Sequence, residues 1–276
     1  TFPAKSVTVV PGKTVSVSFS NTLKKGYVEL RKTDTETGGK LANAVFGIYN
    51  SSNVRVGGLK TNSAGYAKSG LLKYGSYYIK EETAPTGYVL DKSKTSFKIT
   101  TNGQTVSLGR TDMSQKGTIT IKKTDGETKK PLAGAVFNIV AAANIKTADR
   151  AKAGSIVNTI TTGKDGTAKS KTLYLGKYTV KEKKAPAGYV LDTQPHSVTL
   201  SYGGQNATLV GVQLPLGNIA QKAGIKIEKT DQETGKPLAG AVFDILAEEN
   251  IFSICQITSH PHIRISCFCK SHILKR

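Results

Sequence analysis

The chain of 276 residues carries 39 lysines and arginines against 19 acidic residues, which gives a formal net charge of +20. A basic chain raises the hypothesis of nucleic-acid binding. Here, however, the lysines alternate with apolar residues as on a solvated sheet face, and no basic cluster contains stacking aromatic residues, so the composition argues against a nucleic-acid partner and leaves only unspecific attraction to anionic surfaces.

The remaining composition favours a β protein that does not enter a membrane. Thr, Val, Ile, Tyr and Gly are abundant, turn residues recur at short intervals, and no long helical period competes with them. This pattern predicts an all-β sandwich. No apolar run approaches the ~20 residues that span a bilayer, so we expect no membrane insertion of this chain.

One stretch of sequence occurs three times, so the chain is a tandem array. The K-T-D lysines of the copies, Lys32, Lys123 and Lys229, are 91 and 106 residues apart, which is enough for each unit to bury its own core. The three copies are VELRKTDTETGGKLANAVFGI (28–48), ITIKKTDGETKKPLAGAVFNI (119–139) and IKIEKTDQETGKPLAGAVFDI (225–245).

The first predicted strand of each copy ends its apolar face on that lysine. Residues two apart share a face of a strand, so Lys32 follows Val28 and Leu30 onto the face predicted to be buried. Lys123 and Lys229 stand at the same position of the other two copies. Because a lone buried charge is very costly, each lysine should have a partner.

A glutamate is carried inward in the same way in the middle of two units. In YGSYYIKEETAPTGYVLD (74–91) Glu81 shares a face with Ile79, and in YLGKYTVKEKKAPAGYVLD (174–192) Glu182 stands in the same place. The Ala-Pro-x-Gly-Tyr that follows each glutamate predicts a turn. We call KEETAPTGY (80–88) and KEKKAPAGY (181–189) the E-boxes.

An amide or a carboxylate closes the apolar face of the last predicted strand. Asn218 follows Leu216, Asn21 closes a similar run near the N terminus, and Asp112 closes a third run across the exception Arg110. Each of these residues precedes the next K-T-D lysine by eleven positions. Asp112 is therefore the positional equivalent of the two asparagines.

A lysine, a glutamate and an amide or carboxyl in one apolar interior predict a crosslinking reaction. Desolvation favours the neutral amine and the neutral acid. A neutral amine can attack the side-chain carbonyl of asparagine, expelling ammonia, or of protonated aspartic acid, expelling water, while the glutamic acid relays protons. The product is an isopeptide bond. The alternative is that these lysines are surface residues at strand ends, paired with the glutamates.

The K-T-D opening, the LAGAVF stretch and the two E-boxes resemble the Cna B-type, or SpaA-type, domains of Gram-positive surface adhesins and pilin-related proteins, over residues 1 to about 250. The resemblance implies prealbumin-like, reverse Ig-like Greek-key β-sandwiches with an intramolecular bond from lysine to asparagine or aspartate, assisted by a glutamate. By position it implies crosslinks from Lys32 to Asp112 and from Lys123 to Asn218, with Glu81 and Glu182 assisting.

We expect two complete domains between two partial ones. Asn21 and Lys229 would then be unpaired partners from truncated domains, and the chain would be a fragment attached to neighbouring domains of a longer protein. The expected segments are 1–23 (last strands of an upstream domain), 24–114 and 115–221 (complete domains, the second with longer loops), 222–250 (first strands of a downstream domain) and 251–276 (an unrelated tail).

The expected function is a structural stalk segment of a bacterial cell-surface adhesin or pilin-related protein. It would be extracellular, attached to the cell wall through other parts of the protein, monomeric and without cofactor or metal. No pilin-type Tyr-Pro-Lys motif is visible, which argues against a pilus backbone. The alternative is a module of the second domain that binds a host matrix protein or glycan through its extra residues around 141–158, or the roughly five before Asn218.

An enzyme acting on external substrates is the third class considered. The sequence has no Gly-x-Ser-x-Gly, no His-Glu-x-x-His and no phosphate loop. We therefore expect no enzyme beyond the single-turnover formation of its own crosslinks.

The last 26 residues depart from the repeat. They contain all three cysteines, Cys255, Cys267 and Cys269, together with His260 and other histidines. Their close spacing matches no standard structural zinc site, and the repeats themselves contain no cysteine that could form a disulfide. We interpret the tail as the product of a frameshift or gene-model error and expect poor order there.

Overall fold

The computed structural model contains two compact units. No helix occurs among the residues that it describes, and so none there is long and apolar enough to cross a bilayer. The expected all-β class is confirmed. The described residues are 4–145, 151–246 and 264–268. By contacts, the units are Thr1–Lys116 with Tyr202–Val210, and Gly117–Ser201 with Gly211–Arg276.

The first unit is a sandwich of two four-stranded sheets. In one sheet β4 and β5 flank one side of β1, and β8 pairs with β1 on the other. The facing sheet has the order β3-β2-β6-β7 and is antiparallel throughout. The strands are β1 (Lys25–Asp34), β2 (Val45–Asn50), β3 (Arg55–Lys60), β4 (Tyr66–Lys68), β5 (Leu72–Lys73), β6 (Gly75–Thr83), β7 (Lys94–Ile99) and β8 (Gln104–Asp112).

The core of the first unit consists of the apolar faces that strand alternation predicts. Along β1, exposed or half-buried residues alternate with fully buried ones, because successive side chains point to opposite faces. Lys32 belongs to the buried set together with Val28 and Leu30. The other core residues include Phe46, Ile48, Leu59, Ile79, Phe97 and Ile99.

The second unit repeats this arrangement strand for strand. Its sheets are β12 and β13 beside β9, with β16 pairing β9, and the facing order β11-β10-β14-β15. The strands are β9 (Lys116–Asp125), β10 (Val136–Ala141), β11 (Ile156–Thr161), β12 (Thr167–Lys169), β13 (Leu173–Tyr174), β14 (Gly176–Lys184), β15 (His196–Leu200) and β16 (Leu209–Asn218).

The first and last strands of the first unit lie side by side and run parallel. Their register extends from Gly26 opposite Gln104 to Asp34 opposite Asp112. Both strands therefore end at the same edge of the sandwich. This pairing brings residues that are 80 positions apart in sequence next to each other.

The extra residues before Asn218 belong by contacts to the first unit. The backbone N–H of Leu90 donates to the carbonyl of Gln205 at 2.9 Å. The backbone N–H of Ala84 donates to the side-chain oxygen of Gln205 at 3.1 Å. Gln205 thus contacts residues on both sides of the turn at 85–88 in the first E-box.

Two sequence-based strand predictions are wrong. The alternation of Val15, Val17 and Phe19 predicts a strand, yet residues 4–24 contain none and these side chains are exposed. The third K-T-D copy likewise forms no strand at 225–229, although Thr230 forms an isolated bridge with Pro237. A strand needs a hydrogen-bonded neighbour, and no described strand lies beside either segment.

Most of the tail lies outside the described residues. β17 (Val242–Leu246) pairs in parallel with β18 (Arg264–Phe268), which is the described part of the tail. Cys255, Cys269 and the histidines of the tail lie outside the described residues, and so does most of the segment expected to be poorly ordered.

Candidate functional site

The first K-T-D lysine lies inside the first unit. The side chains of Lys32, Glu81 and Asp112 are all 0% exposed. Nζ of Lys32 lies 2.5 Å from Oδ1 of Asp112 and 3.1 Å from Oε1 of Glu81. The structure therefore brings together three predicted residues that are far apart in sequence.

Three strands from both sheets form this cluster. Lys32 lies opposite Arg110 in the parallel pairing of β1 and β8, so Asp112 is two residues further along and points to the same face. Glu81 reaches the cluster from β6 in the facing sheet, where it pairs with Phe46. The lysine thus lies between its two acidic neighbours.

Burial makes both acids hard to ionise. It raises the pKa of Glu81 to about 7, even though the backbone N–H of Asp91 and the Lys32 ammonium favour the carboxylate. Burial also raises the pKa of Asp112 against the opposing effect of Lys32. The cluster therefore holds protons that exposed carboxylic acids would lose at neutral pH.

The second unit has the same constellation with an amide as acceptor. Nζ of Lys123 lies 3.3 Å from Oε1 of Glu182, and both side chains are buried. The side-chain amide of Asn218 donates to Oε2 of Glu182 at 3.0 Å and to the carbonyl of Val190 at 2.9 Å. A carboxyl thus contacts the amine and the amide nitrogen at once.

Two polar atoms of the second cluster have no hydrogen-bond partner among the described residues. Nζ of Lys123 and Oδ1 of Asn218 are both buried without one. Burial lowers the pKa of Lys123, while the charge of Glu182 opposes that change. A buried amine with a lowered pKa, whose glutamate neighbour also contacts a side-chain amide, is suited to nucleophilic attack on that amide.

A phenylalanine ring lies against the amine of each buried lysine, a contact that the strand pattern did not predict. Nζ of Lys32 lies 5.1 Å from the ring centroid of Phe46, and Nζ of Lys123 lies 5.4 Å from that of Phe137. Each ring stands opposite the glutamate in the strand pairing, beside a register shift that occurs in both units. The signal was present, because AVF recurs in every copy.

The tyrosine of each E-box bonds to the aspartate of each K-T-D. The hydroxyl of Tyr88 donates to Asp34 at 2.7 Å, and that of Tyr189 donates to Asp125 at 2.8 Å. The backbone N–H of Thr128 and then this hydroxyl lower the pKa of Asp125 to about 2. The two motifs that carry the resemblance are thus in contact with each other.

The remaining predicted residues lie outside such clusters. Asn21 and Lys229 are both exposed, and the segments that carry them form no strand. The third copy retains the local turn after its K-T-D, in which the backbone N–H groups of Glu233 and Thr234 donate to Asp231.

The sequence model of one domain family, described as the SpaA prealbumin-like fold domain, matches residues 26–113 and 117–213. The chain belongs to this family. This SpaA membership confirms the resemblance carried by the K-T-D and E-box motifs, and each matched range contains a buried lysine and a buried glutamate.

The SpaA-type chain is similar to a streptococcal surface protein and to a solved structure from Bacillus anthracis. The trypsin-resistant surface T6 protein of Streptococcus pyogenes serotype M6 is 34% identical over 84 residues, which are 30% of this chain and 14% of that protein. Among solved structures, the Bacillus anthracis TIE protein is 32% identical with a TM-score of 0.54, over 71% of this chain and 34% of that one. The chain thus spans a small part of both relatives.

Proposed function

We propose that the chain is a stalk segment of a bacterial surface protein, stiffened by two intramolecular isopeptide bonds, from Lys32 to Asp112 and from Lys123 to Asn218. The observation that carries the proposal is that two units independently bury a lysine, a glutamate and an acceptor in one cluster. In the first unit the lysine contacts both acids, and in the second the glutamate contacts both the lysine and the asparagine. Leaving such charges unreacted inside an apolar core would be costly.

In the second unit, Nζ of Lys123 attacks Cγ of Asn218. The new bond joins Nζ to Cγ, the bond from Cγ to Nδ2 breaks, and Nδ2 leaves as ammonia. Glu182 contacts both nitrogens, so it takes a proton from the lysine and gives one to the departing nitrogen. The glutamate is unchanged at the end, and one lysine and one asparagine become an amide and a free ammonia.

In the first unit the same attack on protonated Asp112 expels water. Nζ of Lys32 bonds to Cγ of Asp112, and the bond from Cγ to the hydroxyl oxygen breaks. Glu81 gives the proton that turns the departing hydroxyl into water and takes one from the lysine nitrogen, so it is unchanged at the end. The raised pKa values of Asp112 and Glu81 support this course, because both acids must carry protons. No external substrate or cofactor takes part, so the protein is not an enzyme in the ordinary sense.

The crosslinks would make each unit resistant to tension. Each would join the first strand of a sandwich to the last, so force that enters at Lys123 leaves at Asn218 without loading the residues between them. Asn21 and Lys229 remain uncrosslinked in this chain, because neither is in a buried cluster. A force-resistant segment suits an extracellular position between a cell wall and a binding tip, and the surface T6 relative supports this location.

The mass of the intact chain tests the proposal. The folded protein should weigh less than its sequence by one water and one ammonia, and fragments should link Lys32 to Asp112 and Lys123 to Asn218. The double variant Lys32→Ala with Lys123→Ala should have its full sequence mass. An unmodified mass from correctly folded parent protein contradicts the proposal.

A cavity in the second unit favours a second candidate function, recognition of a host matrix protein or glycan. It has a volume of about 450 Å³ and lies beside the longer loop, lined by Ile145, Ile156, Leu173 and Tyr178 among others. This size is within the range of ligand sites. Ile156→Asp should abolish binding to immobilised matrix proteins or glycans without changing either mass loss; equal binding by the variant refutes this candidate.

A further inference from the structure

An aspartate lies three residues after the tyrosine of each E-box and contacts the buried glutamate. The backbone N–H of Asp91 donates to Oε2 of Glu81 at 3.0 Å, and that of Asp192 donates to Oε2 of Glu182 at 2.8 Å. In both units the other oxygen, Oε1, is the one nearer to the lysine. The donated N–H therefore fixes which carboxyl oxygen faces the amine.

The side chain of each aspartate holds its own turn in place. Oδ1 of Asp91 accepts the backbone N–H of Ser93 at 2.9 Å, and Oδ1 of Asp192 accepts that of Gln194 at 3.0 Å. Such a turn orders the backbone around the aspartate. The N–H that points at the glutamate is therefore fixed by the carboxylate of the same residue.

In both units a basic side chain contacts Oδ2 of this aspartate, but the basic residue lies on a different strand in each unit. In the first unit Arg110 of β8 pairs with Oδ2 of Asp91 and also donates to Thr95 of β7. In the second unit Nε2 of His196, on β15, lies 2.7 Å from Oδ2 of Asp192.

The strand pairing shows that the basic residue occupies a different position in each unit. Thr95 pairs with Ile79, and His196 pairs with the equivalent residue Val180, so Thr95 and His196 occupy the same place. Arg110 precedes Asp112 by two residues, as Leu216 precedes Asn218. At these two equivalent positions the first unit has threonine and arginine, and the second has histidine and leucine. Each unit therefore has one basic residue beside its aspartate, but at a different position.

We propose that Asp91 and Asp192 are positioning residues for crosslink formation, each held by a basic partner, Arg110 or His196, so that its backbone N–H orients the buried glutamate. This inference rests on the proposed crosslinks. It accounts for Arg110, which interrupts the apolar face of β8, and for the aspartate that follows each E-box. Neither residue needs to touch the reacting atoms.

Arg110→Leu is the sharpest test, because leucine is the residue at the equivalent position 216 of the second unit and should be tolerated there. In full-length chain sampled during cell-free synthesis, the first unit of this variant should lose water about tenfold more slowly than the parent. Ammonia loss from the second unit of the same molecules serves as the internal rate standard. Asp91→Ala should slow water loss similarly.

Placing histidine at position 95, as at the equivalent position 196 of the second unit, should rescue the Arg110→Leu variant. Adding Thr95→His to Arg110→Leu should restore most of the parental rate of water loss, whereas adding the exposed control Lys98→Ala should not.

In Asp91→Ala the pH at which the rate of water loss falls should also shift upward, because a donor that favours the ionised form of Glu81 is weakened. A purely structural role of Asp91 predicts no such shift.

The outcomes separate the two proposals. If the parent chain never loses water or ammonia, the crosslinks themselves are refuted. If the parent reacts, but Arg110→Leu and Asp91→Ala lose water at the parental rate, the positioning role is refuted and the crosslinks stand. If Arg110→Leu slows water loss and the addition of Thr95→His does not restore the rate, the role of the basic partner is refuted.

Discussion

Lys32 and Lys123 are the most unusual core residues of the two units. Lysine is almost never fully buried unless it is paired, yet each of these side chains has no exposed surface. Around Lys123 the phenylalanine ring and the charge of Glu182 both favour the ammonium form, whereas burial favours the neutral amine. Amide formation would end this conflict, because an amide does not titrate.

Glu182 should be required for the second crosslink. In Glu182→Ala the proton carrier between amine and amide is missing, so ammonia loss should slow by at least about a hundredfold. Intact mass against time checks this, with water loss from the first unit as the internal standard. Glu82→Ala removes an acid that pairs with Arg55 outside the cluster and is the matched control. Unchanged ammonia loss in Glu182→Ala would exclude the assigned role.

The two crosslinks should respond to pH in opposite directions. Asp112 reacts only when protonated, and the pKa of Glu81 is about 7, so water loss should slow above neutrality as these acids ionise. Asn218 does not titrate, and the lowered pKa of Lys123 gives more neutral amine as pH rises, so ammonia loss should quicken. Separate mass time courses between about pH 6 and about pH 9 test this. Parallel pH profiles would argue against the aspartic-acid route.

Strand alternation predicted where the buried lysines, glutamates and acceptors lie, because the period of two is a local property of the chain. It failed at 15–21 and 225–229, where the same pattern occurs without a neighbouring strand. The roles of Phe46 and Asp91 were also missed. Their contacts depend on pairing between β2 and β6 and on the turn after β6, which are long-range features that periodicity does not encode.

The bond between each E-box tyrosine and its K-T-D aspartate should stabilise the sandwich. In a Lys123→Ala background, Tyr189→Phe should lower the free energy of unfolding by about 1 kcal/mol at neutral pH. The folded pKa of Asp125 is about 2, below its value of about 3.9 in the unfolded chain, so this loss should shrink as pH falls from about 4 to about 2. Urea titrations measure it, with exposed Tyr202→Phe as control. A pH-independent difference would mean that the carboxylate is not the partner.

Each unit places its first and last strands together, so one bond can fix the route of mechanical load. Lys123 and Asn218 are 95 residues apart in sequence, and closing such a loop stabilises by roughly 4 to 5 kcal/mol in a chain-entropy description. The effect under tension is larger, since breaking the load path would require breaking a covalent bond.

Lys123→Ala should turn an inextensible unit into an extensible one. Pulling on the ends of the parent chain should produce no unfolding step from the second unit, whereas the variant should release up to about 330 Å as that unit opens. Exposed Lys122→Ala should behave like the parent. A single-molecule force trace with the same step in parent and variant would rule out the load-bearing crosslink.

The parallel pairing of β1 and β8 also bears on how such proteins change over generations. The polypeptide enters the first unit at one end of the pair and leaves it at the other, and three residues, 113–115, separate β8 from β9. A gene segment coding for one unit can therefore be duplicated in frame without rerouting the strands of the first unit. Recombination between the similar K-T-D stretches would then change the number of units, while each unit keeps its own chemistry.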